Sequence, residues 1–377
     1  MKNVLITGGA GFIGTGLTSL ARNAGFRIRI LDNLSPQIHG DEPQFLPPEG
    51  VEFVRGDVRN RSDLEAALEG VDTIVHLAAE TGTGQSMYEV DRYYAVNVQG
   101  TALLCDLLAN SHHRVRKFIL ASSRSVYGEG AYLCASCDEA GRNERCYPLA
   151  RSAEQLAAHR WEPTCPVCSG SVTSTATRED DALLPASIYA ASKLAQEDLV
   201  RIACQSFGID YAILRFQNVF GEGQSLSNPY TGILSIFSTR LRLGQSLPVF
   251  EDGHETRDFV HVEDVATAVL RCMQVDAGNS IMNVGLGKAS SIMEVAKILC
   301  RLMDSQIEPH VTGQYRVGDI RHNFADIERL KKTVGYSPRI SLEEGMGRFC
   351  SWVQTQPIPQ DLLEKANKEL EARKLMG

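Results

Sequence analysis

Short apolar runs alternate with stretches whose apolar positions recur at helical spacing. The runs fall at residues 4–6, 28–31, 51–54, 73–77, 118–121 and 212–214. Strand–helix alternation of this kind predicts an α/β chain, a Rossmann-type doubly wound parallel sheet with helices on both faces. Beyond Arg215 the pattern is less regular and richer in turns, which predicts a smaller C-terminal substrate-binding region fed by several excursions. The expected division is 1–130 with 183–215 for the sheet domain, with a return near 257–282. A cysteine-rich insertion takes 131–182, and 216–256 with 283–377 form the smaller region. The tail 361–374 is highly charged, with Leu362, Leu363, Ala366 and Leu370 at helical spacing, and reads as a surface helix.

Composition narrows the class. The chain has 377 residues, 43% hydrophobic, ample for a core, and a net charge of −8 that argues against nucleic-acid or anionic-membrane surfaces. No apolar run reaches the ~18 residues that span a bilayer. The first residues enter a strand at once, leaving no room for a signal peptide, so a cytoplasmic location is expected.

The first apolar run ends in TGGAGFIG at residues 7–14. Gly8, Gly11 and Gly14 stand three apart, where a strand turns into a helix and the chain must let a pyrophosphate approach. The N–H groups at the helix start, at Phe12 and Ile13, then hold phosphate oxygens. Asp32 ends the second run; a carboxylate there accepts both ribose hydroxyls of NAD and repels the extra phosphate of NADP. Asp57, in Gly56-Asp57-Val58, is placed to meet the adenine. Leu77, Ala78 and Ala79 follow the fourth run at the carboxyl edge where cofactors bind.

YAASK at residues 189–193 sets a phenol and an ammonium one helical turn apart. An unperturbed tyrosine titrates near ~10, and bringing it near 7 needs roughly 4 kcal/mol. One ammonium ~4 Å away at an effective dielectric of ~20 supplies about that much, so Lys193 suffices to make Tyr189 a base. Ser122 and Ser123 end the fifth run and can bond the same substrate oxygen. Taken alone, YxxxK would be an ordinary helical pair; beside this glycine turn and serine strand it reads as catalytic.

The chain resembles the extended short-chain dehydrogenase/reductases, specifically the nucleotide-sugar epimerase/dehydratase family. The resemblance is carried by TGGAGFIG, Asp32-Asn33, Gly56-Asp57-Val58, HLAA, Asn97, SSRSVYG, YAASK, LRFQNVFG, RDFVHVEDV and NVG. It implies Ser123 as the catalytic hydroxyl, Tyr189 as the base and Lys193 as its partner, with Asn33 and Asn97 joining the NAD site. It implies Asn218 and Arg257 as ligands of the substrate's diphosphate, with Arg316 a further candidate. Sugar 4,6-dehydratases of the family carry Asp-Glu after the serine, an acid for the leaving hydroxyl and a base for the neighbouring C–H. Here stand Arg124-Ser125, neither of which can do both jobs, so a 4-epimerase is the simplest chemistry left. The insertion, AETGTGQSMYEVDRY and NPYTGILSIF resemble the dTDP-L-rhamnose 4-epimerases most. UDP-glucose/galactose-type epimerases are the alternative, and a non-catalytic NAD-binding regulator a third, disfavoured by the intact Ser–Tyr–Lys set.

Five of the ten cysteines lie in the insertion, as CASC, Cys146 and CPVC. Cys134, Cys137, Cys165 and Cys168 have the spacing of a tetrahedral thiolate site, which predicts a zinc ribbon-like unit with structural zinc; unligated thiols are the plainer alternative. Cys105, Cys204, Cys272, Cys300 and Cys350 read as core packing. His76 and His261 read as structural and His112-His113 as a helix end, while His159 could replace a thiolate. By the family resemblance the chain is expected to form a homodimer through helices near 97–108 and 189–207, both with apolar stripes.

Overall fold

All six apolar runs contribute to one parallel sheet. The computed structural model describes every residue except Met1, Asp41, Glu42, Gln44, Asn143, Pro229 and Thr231; the last two belong to the NPYTGILSIF segment, which to that extent lies outside the described residues. In chain order the elements that shape the cleft begin with β1 (Asn3–Thr7), α1 (Phe12–Asn23), β2 (Arg27–Asp32), β3 (Glu52–Arg55), α2 (Arg61–Leu68) and β4 (Thr73–His76). Next come α3 (Gly100–Asn110), β5 (Lys117–Ser123), α4 (Ile188–Phe207), β6 (Asp210–Phe216), α5 (Ile233–Arg242), α6 (Val262–Gln274) and β7 (Ser280–Val284). The last three are α7 (Ile292–Leu302), α8 (Leu342–Thr355) and α9 (Leu363–Glu371).

The sheet order is β7-β6-β5-β4-β1-β2-β3, every neighbour parallel. The direction of winding reverses between β1 and β4, and ligands of open α/β sheets bind at such a switch point. Strand side chains alternate between two cores. Val4, Ile6, Ile119 and Ala121 meet α1 and α6 through Leu17, Ala21, Val265 and Val269. Leu5, Phe118 and Leu120 meet α2, α3 and α4 through Leu64, Leu104, Leu108 and Val200. The boundary expected at 283 is corrected by β7: residues 280–284 pair with β6 as the seventh strand. The expected return near 257–282 thus extends two residues further, to Val284.

The smaller region packs α5, α7 and α8 around Phe237, Leu299, Phe349 and Phe259. The tail forms α9, which buries Leu363, Ala366 and Leu370. Helix runs continuously into α3 from Val90, with a π turn over Tyr94–Gln99. Asn97 lies in that wider turn and is fully buried. Among the described residues no helix is long and apolar enough to cross a membrane.

The insertion is a small unit of its own. Tyr132–Leu133 pairs antiparallel with Arg145–Cys146 on one side and Thr173–Ser174 on the other. It is fastened to the rest of the molecule by buried charge. Arg151, 1% exposed, pairs with Glu129 (3.3 Å) and Glu251 (2.8 Å) and donates to the Asp319 carbonyl. From the other side Arg321, equally buried, reaches Glu162 of the insertion (2.7 Å), Glu251 and Asp252. The five remaining cysteines are buried within helices.

Candidate active site

A cleft of about 710 Å³ opens at the carboxyl ends of β1, β2, β4 and β5. Gly8, Gly11, Phe12, Ile13, Gly14, Asp32, Asn33, Val58, Leu77, Ala78 and Ala79 line one half of it. Gly8 takes φ +69°, and a Cβ there would come within 2.7 Å of the Ala78 nitrogen. The Gly11 cap of α1 makes no side-chain hydrogen bond, which leaves the first N–H groups of the helix free for an anion. Asp32 accepts the N–H groups of Ala10 (3.1 Å) and Leu34 (2.9 Å), one on each oxygen. Each oxygen keeps a lone pair for a hydroxyl. A glycine cradle, open helix N–H groups and a half-used carboxylate fit the pyrophosphate and ribose of NAD.

Two expected members of this half do not line the cleft. Asp57 gives its carboxylate to Arg59 (2.9 and 2.7 Å) and Asn33 (3.0 Å), and the guanidinium holds it down to about 2. Asn97 brackets Glu80, accepting its N–H (2.8 Å) and donating to its carbonyl (3.1 Å), and also donates to Ser192 Oγ (2.9 Å). Its place is behind the wall, fixing the loop after Ala79 against α4.

Ser123, Tyr189 and Lys193 all line the cleft. Ser123 ends β5 and receives hydrogen bonds from the Ser125 N–H (3.2 Å) and hydroxyl (3.0 Å). Ser187 caps α4 through the Ala190 N–H (3.1 Å) and starts the helix where Tyr189 must stand. The Tyr189 ring meets Tyr93 edge-on at 6.4 Å. Beneath them, Glu197 takes both Arg215 (2.9 and 2.7 Å) and the Ser122 hydroxyl, locking β5, β6 and α4 in register.

The electrostatics of the phenol involve more than Lys193. Burial pushes the Tyr189 phenol up, while the Ser123 hydroxyl and the Arg124 charge pull it down. Burial brings the Lys193 ammonium down to about 7, opposed by Glu197 one turn on. Its Nζ donates to the Ala121 carbonyl (2.9 Å). Burial thus weakens the charge of Lys193, and Arg124 adds a second cation beside the phenol.

The other half of the cleft is lined by Arg124, Gln217, Asn218, Gln224, Ser225 and Tyr230 among others. Both polar atoms of the Gln217 side chain, Gln224 Oε1 and Ser225 Oγ are buried without a partner. Such groups suit a polar ligand. Asn218 is where the resemblance put it, with Arg124 Nε on its Oδ1 (2.9 Å). Arg257 and Arg316 do not line the cleft. Arg257 caps the carbonyls of Thr256, Ile320 and Arg321. Arg316 stacks on Phe250 and donates to Asn367 (3.2 Å). Arg124 was read from the sequence only as a bar to elimination; a long cation next to the catalytic serine was the signal of a fuller part.

The sulfurs of Cys134, Cys137, Cys165 and Cys168 lie within 4.8 Å of one another. The closest contacts are Cys134–Cys168 at 3.4 Å and Cys137–Cys165 at 3.7 Å. Four zinc–sulfur bonds of about 2.3 Å at tetrahedral angles space the sulfurs by about 3.8 Å, so the set fits zinc. Burial pushes the Cys165 thiol up, but the N–H groups of Cys168 and Val167 outweigh it and bring it down to about 6, which favours the thiolate a metal needs. Cys146 is buried beside the four. His159 stacks on Trp161 instead of joining them. His76 bridges Thr7 (2.7 Å) and Thr101 (3.0 Å) and His261 caps α6 and meets Glu222, both structural. His113 bonds the Leu108 carbonyl at the end of α3.

The signature of the NAD dependent epimerase/dehydratase family matches residues 4–285. A dTDP-L-rhamnose 4-epimerase of Burkholderia thailandensis is 38% identical over 93% of this chain and 95% of its own length. A putative UDP-glucose 4-epimerase of Methanocaldococcus jannaschii is 30% identical over 93% of this chain and 98% of its own. A solved UDP-N-acetylglucosamine 4-epimerase from Methanobrevibacter ruminantium superposes with a TM-score of 0.75 at 28% identity, over 94% and 99% of the two chains.

Proposed function

The chain belongs to the NAD dependent epimerase/dehydratase family, and on that premise we propose that it is a nucleotide-sugar 4-epimerase interconverting dTDP-L-rhamnose and dTDP-6-deoxy-L-talose. The observation that carries this reading is the set Ser123, Tyr189 and Lys193 lining the cleft, with Arg124-Ser125 after the serine where elimination would need an acid and a base. The relative from Burkholderia thailandensis supports the sugar.

Gly8, Gly11, Phe12, Ile13, Gly14 and Asp32 hold the cofactor. NAD supplies reversible hydride acceptance at the sugar's C4. Ser123 orients the 4-hydroxyl toward Tyr189, which removes its proton; the same phenol returns that proton after the 4-keto sugar has turned its other face. Lys193, fixed on the Ala121 carbonyl, and Arg124 stabilise the phenolate. Zinc, held by Cys134, Cys137, Cys165 and Cys168, is structural in this reading, since four thiolates close the coordination sphere. The same reading makes the protein a cytoplasmic homodimer joined through α3 and α4, in a compartment that keeps its cysteines reduced.

A UDP-glucose/galactose-type 4-epimerase is the second reading, favoured by the relative from Methanocaldococcus jannaschii. The test is to incubate the purified protein with dTDP-L-rhamnose or UDP-glucose, adding no NAD, and follow the C4 epimer by NMR. Product from the first supports the rhamnose reading, and product from the second alone supports the alternative. Tyr189→Phe is expected to lose about 10²–10⁴-fold in turnover while still carrying NAD. A protein that binds NAD and turns over neither sugar would overturn both readings in favour of a regulator.

A further inference from the structure

Arg124 is the one arginine lining the cleft among the described residues. Its Nε is taken by Asn218 Oδ1 at 2.9 Å, and its two Nη groups meet no hydrogen-bond acceptor or carboxylate among the described residues. A guanidinium presents five N–H donors in a planar fork suited to phosphate and carboxylate oxygens. Burial brings this one down to about 9, with Arg257 pushing the same way and Asp319 opposing. A cation this enclosed is stabilised by an anion that enters the cleft.

The other basic groups are spent elsewhere. Arg257 caps three backbone carbonyls, Arg316 lies on Phe250 outside the cleft, and Lys193 is bound to the Ala121 carbonyl. The anionic part of a sugar nucleotide is its diphosphate. We propose that Arg124 is the phosphate ligand of this cleft: its Nη fork grips the phosphate that carries the sugar, with Asn218 steadying the fork. Because Arg124 directly follows Ser123, this grip fixes the span between the phosphate and the hydroxyl–phenol pair. Sugar nucleotides are thereby positioned for reaction, and the bare sugar is not.

The inference rests on the nucleotide-sugar reading, and the experiment separates the two. Calorimetric titration of NAD-loaded protein compares dTDP with dTMP, and UDP with UMP. Wild type is expected to prefer the diphosphates. Arg124→Ala and Arg124→Gln should weaken diphosphate binding by roughly 10- to 100-fold and monophosphate binding far less. Arg124→Lys, which keeps the charge without the fork, should fall between. Bound NAD and the melting temperature show that each variant is folded; should both neutral variants fail to fold, Arg124→Lys carries the comparison. A folded variant with the wild-type ratio of diphosphate to monophosphate affinity overturns the assignment of Arg124 alone. A wild type with no preference overturns the nucleotide-sugar reading and this assignment together.

Discussion

Asp57 immediately precedes Val58, which lines the cleft, yet gives its own carboxylate to Arg59 and Asn33. Its folded pKa is depressed from 3.8 to about 2. The contact therefore stabilises the protein fully above about pH 4, and that stabilisation fades as the pH falls through 2. The pair is partly exposed, so the effect is small: Asp57→Asn should lower the melting temperature at pH 7 by about 1–3 °C. The gap to wild type should close as the pH approaches 2, and a gap that persists there would refute the ion-pair account. At this scale the sequence motifs point to residues that the fold brings to one cleft, Gly8, Ser123, Tyr189 and Lys193 among them. It was silent where the partner comes from elsewhere in the fold. Asn97 read as a cofactor ligand because nothing local shows that Glu80 claims it. The burial that lowers Lys193 does not appear in a spacing.

The cysteine-rich insertion is the element on which sequence and structure bear unequally. Its two CxxC pairs were visible as pairs, and their convergence to within 4.8 Å follows that spacing. Its mode of attachment was not visible: Arg151 and Glu251 stand 100 residues apart. Metal analysis should find about one zinc per chain. Arg151→Met should destabilise the protein by about 3–5 kcal/mol, because Glu129 would stay buried without its cation, while Glu251 keeps Arg321. Denaturant unfolding checks this. Since Arg151 also donates to the Asp319 carbonyl, stripping zinc with a chelator should weaken substrate binding more than it slows turnover. An unchanged KM in metal-free protein would sever the insertion from the cleft.

For the whole molecule, the doubly wound sheet was readable because parallel strands buried on both faces leave uninterrupted apolar runs. The π turn over Tyr94–Gln99 carries no comparable mark. α3 and α4 pack side by side on one face of the sheet, and α4 leaves Ile202 54% and Phe207 46% exposed. If a second copy covers them, Ile202→Arg should convert dimer to folded monomer in sedimentation velocity; a monomeric wild type would sink the proposal. The buried clamp of the insertion has one more consequence, for descent. A loop between Ser123 and Tyr189 can lengthen cheaply, since closure entropy rises only slowly with length. Shortening it again is another matter. Glu129 lies outside the inserted segment and is 1% exposed, so excision of Arg151 would strand its carboxylate in the interior, whereas Glu251 would keep Arg321. A chain that buries Glu129 is thus tied to the segment that carries Arg151, whatever becomes of its metal.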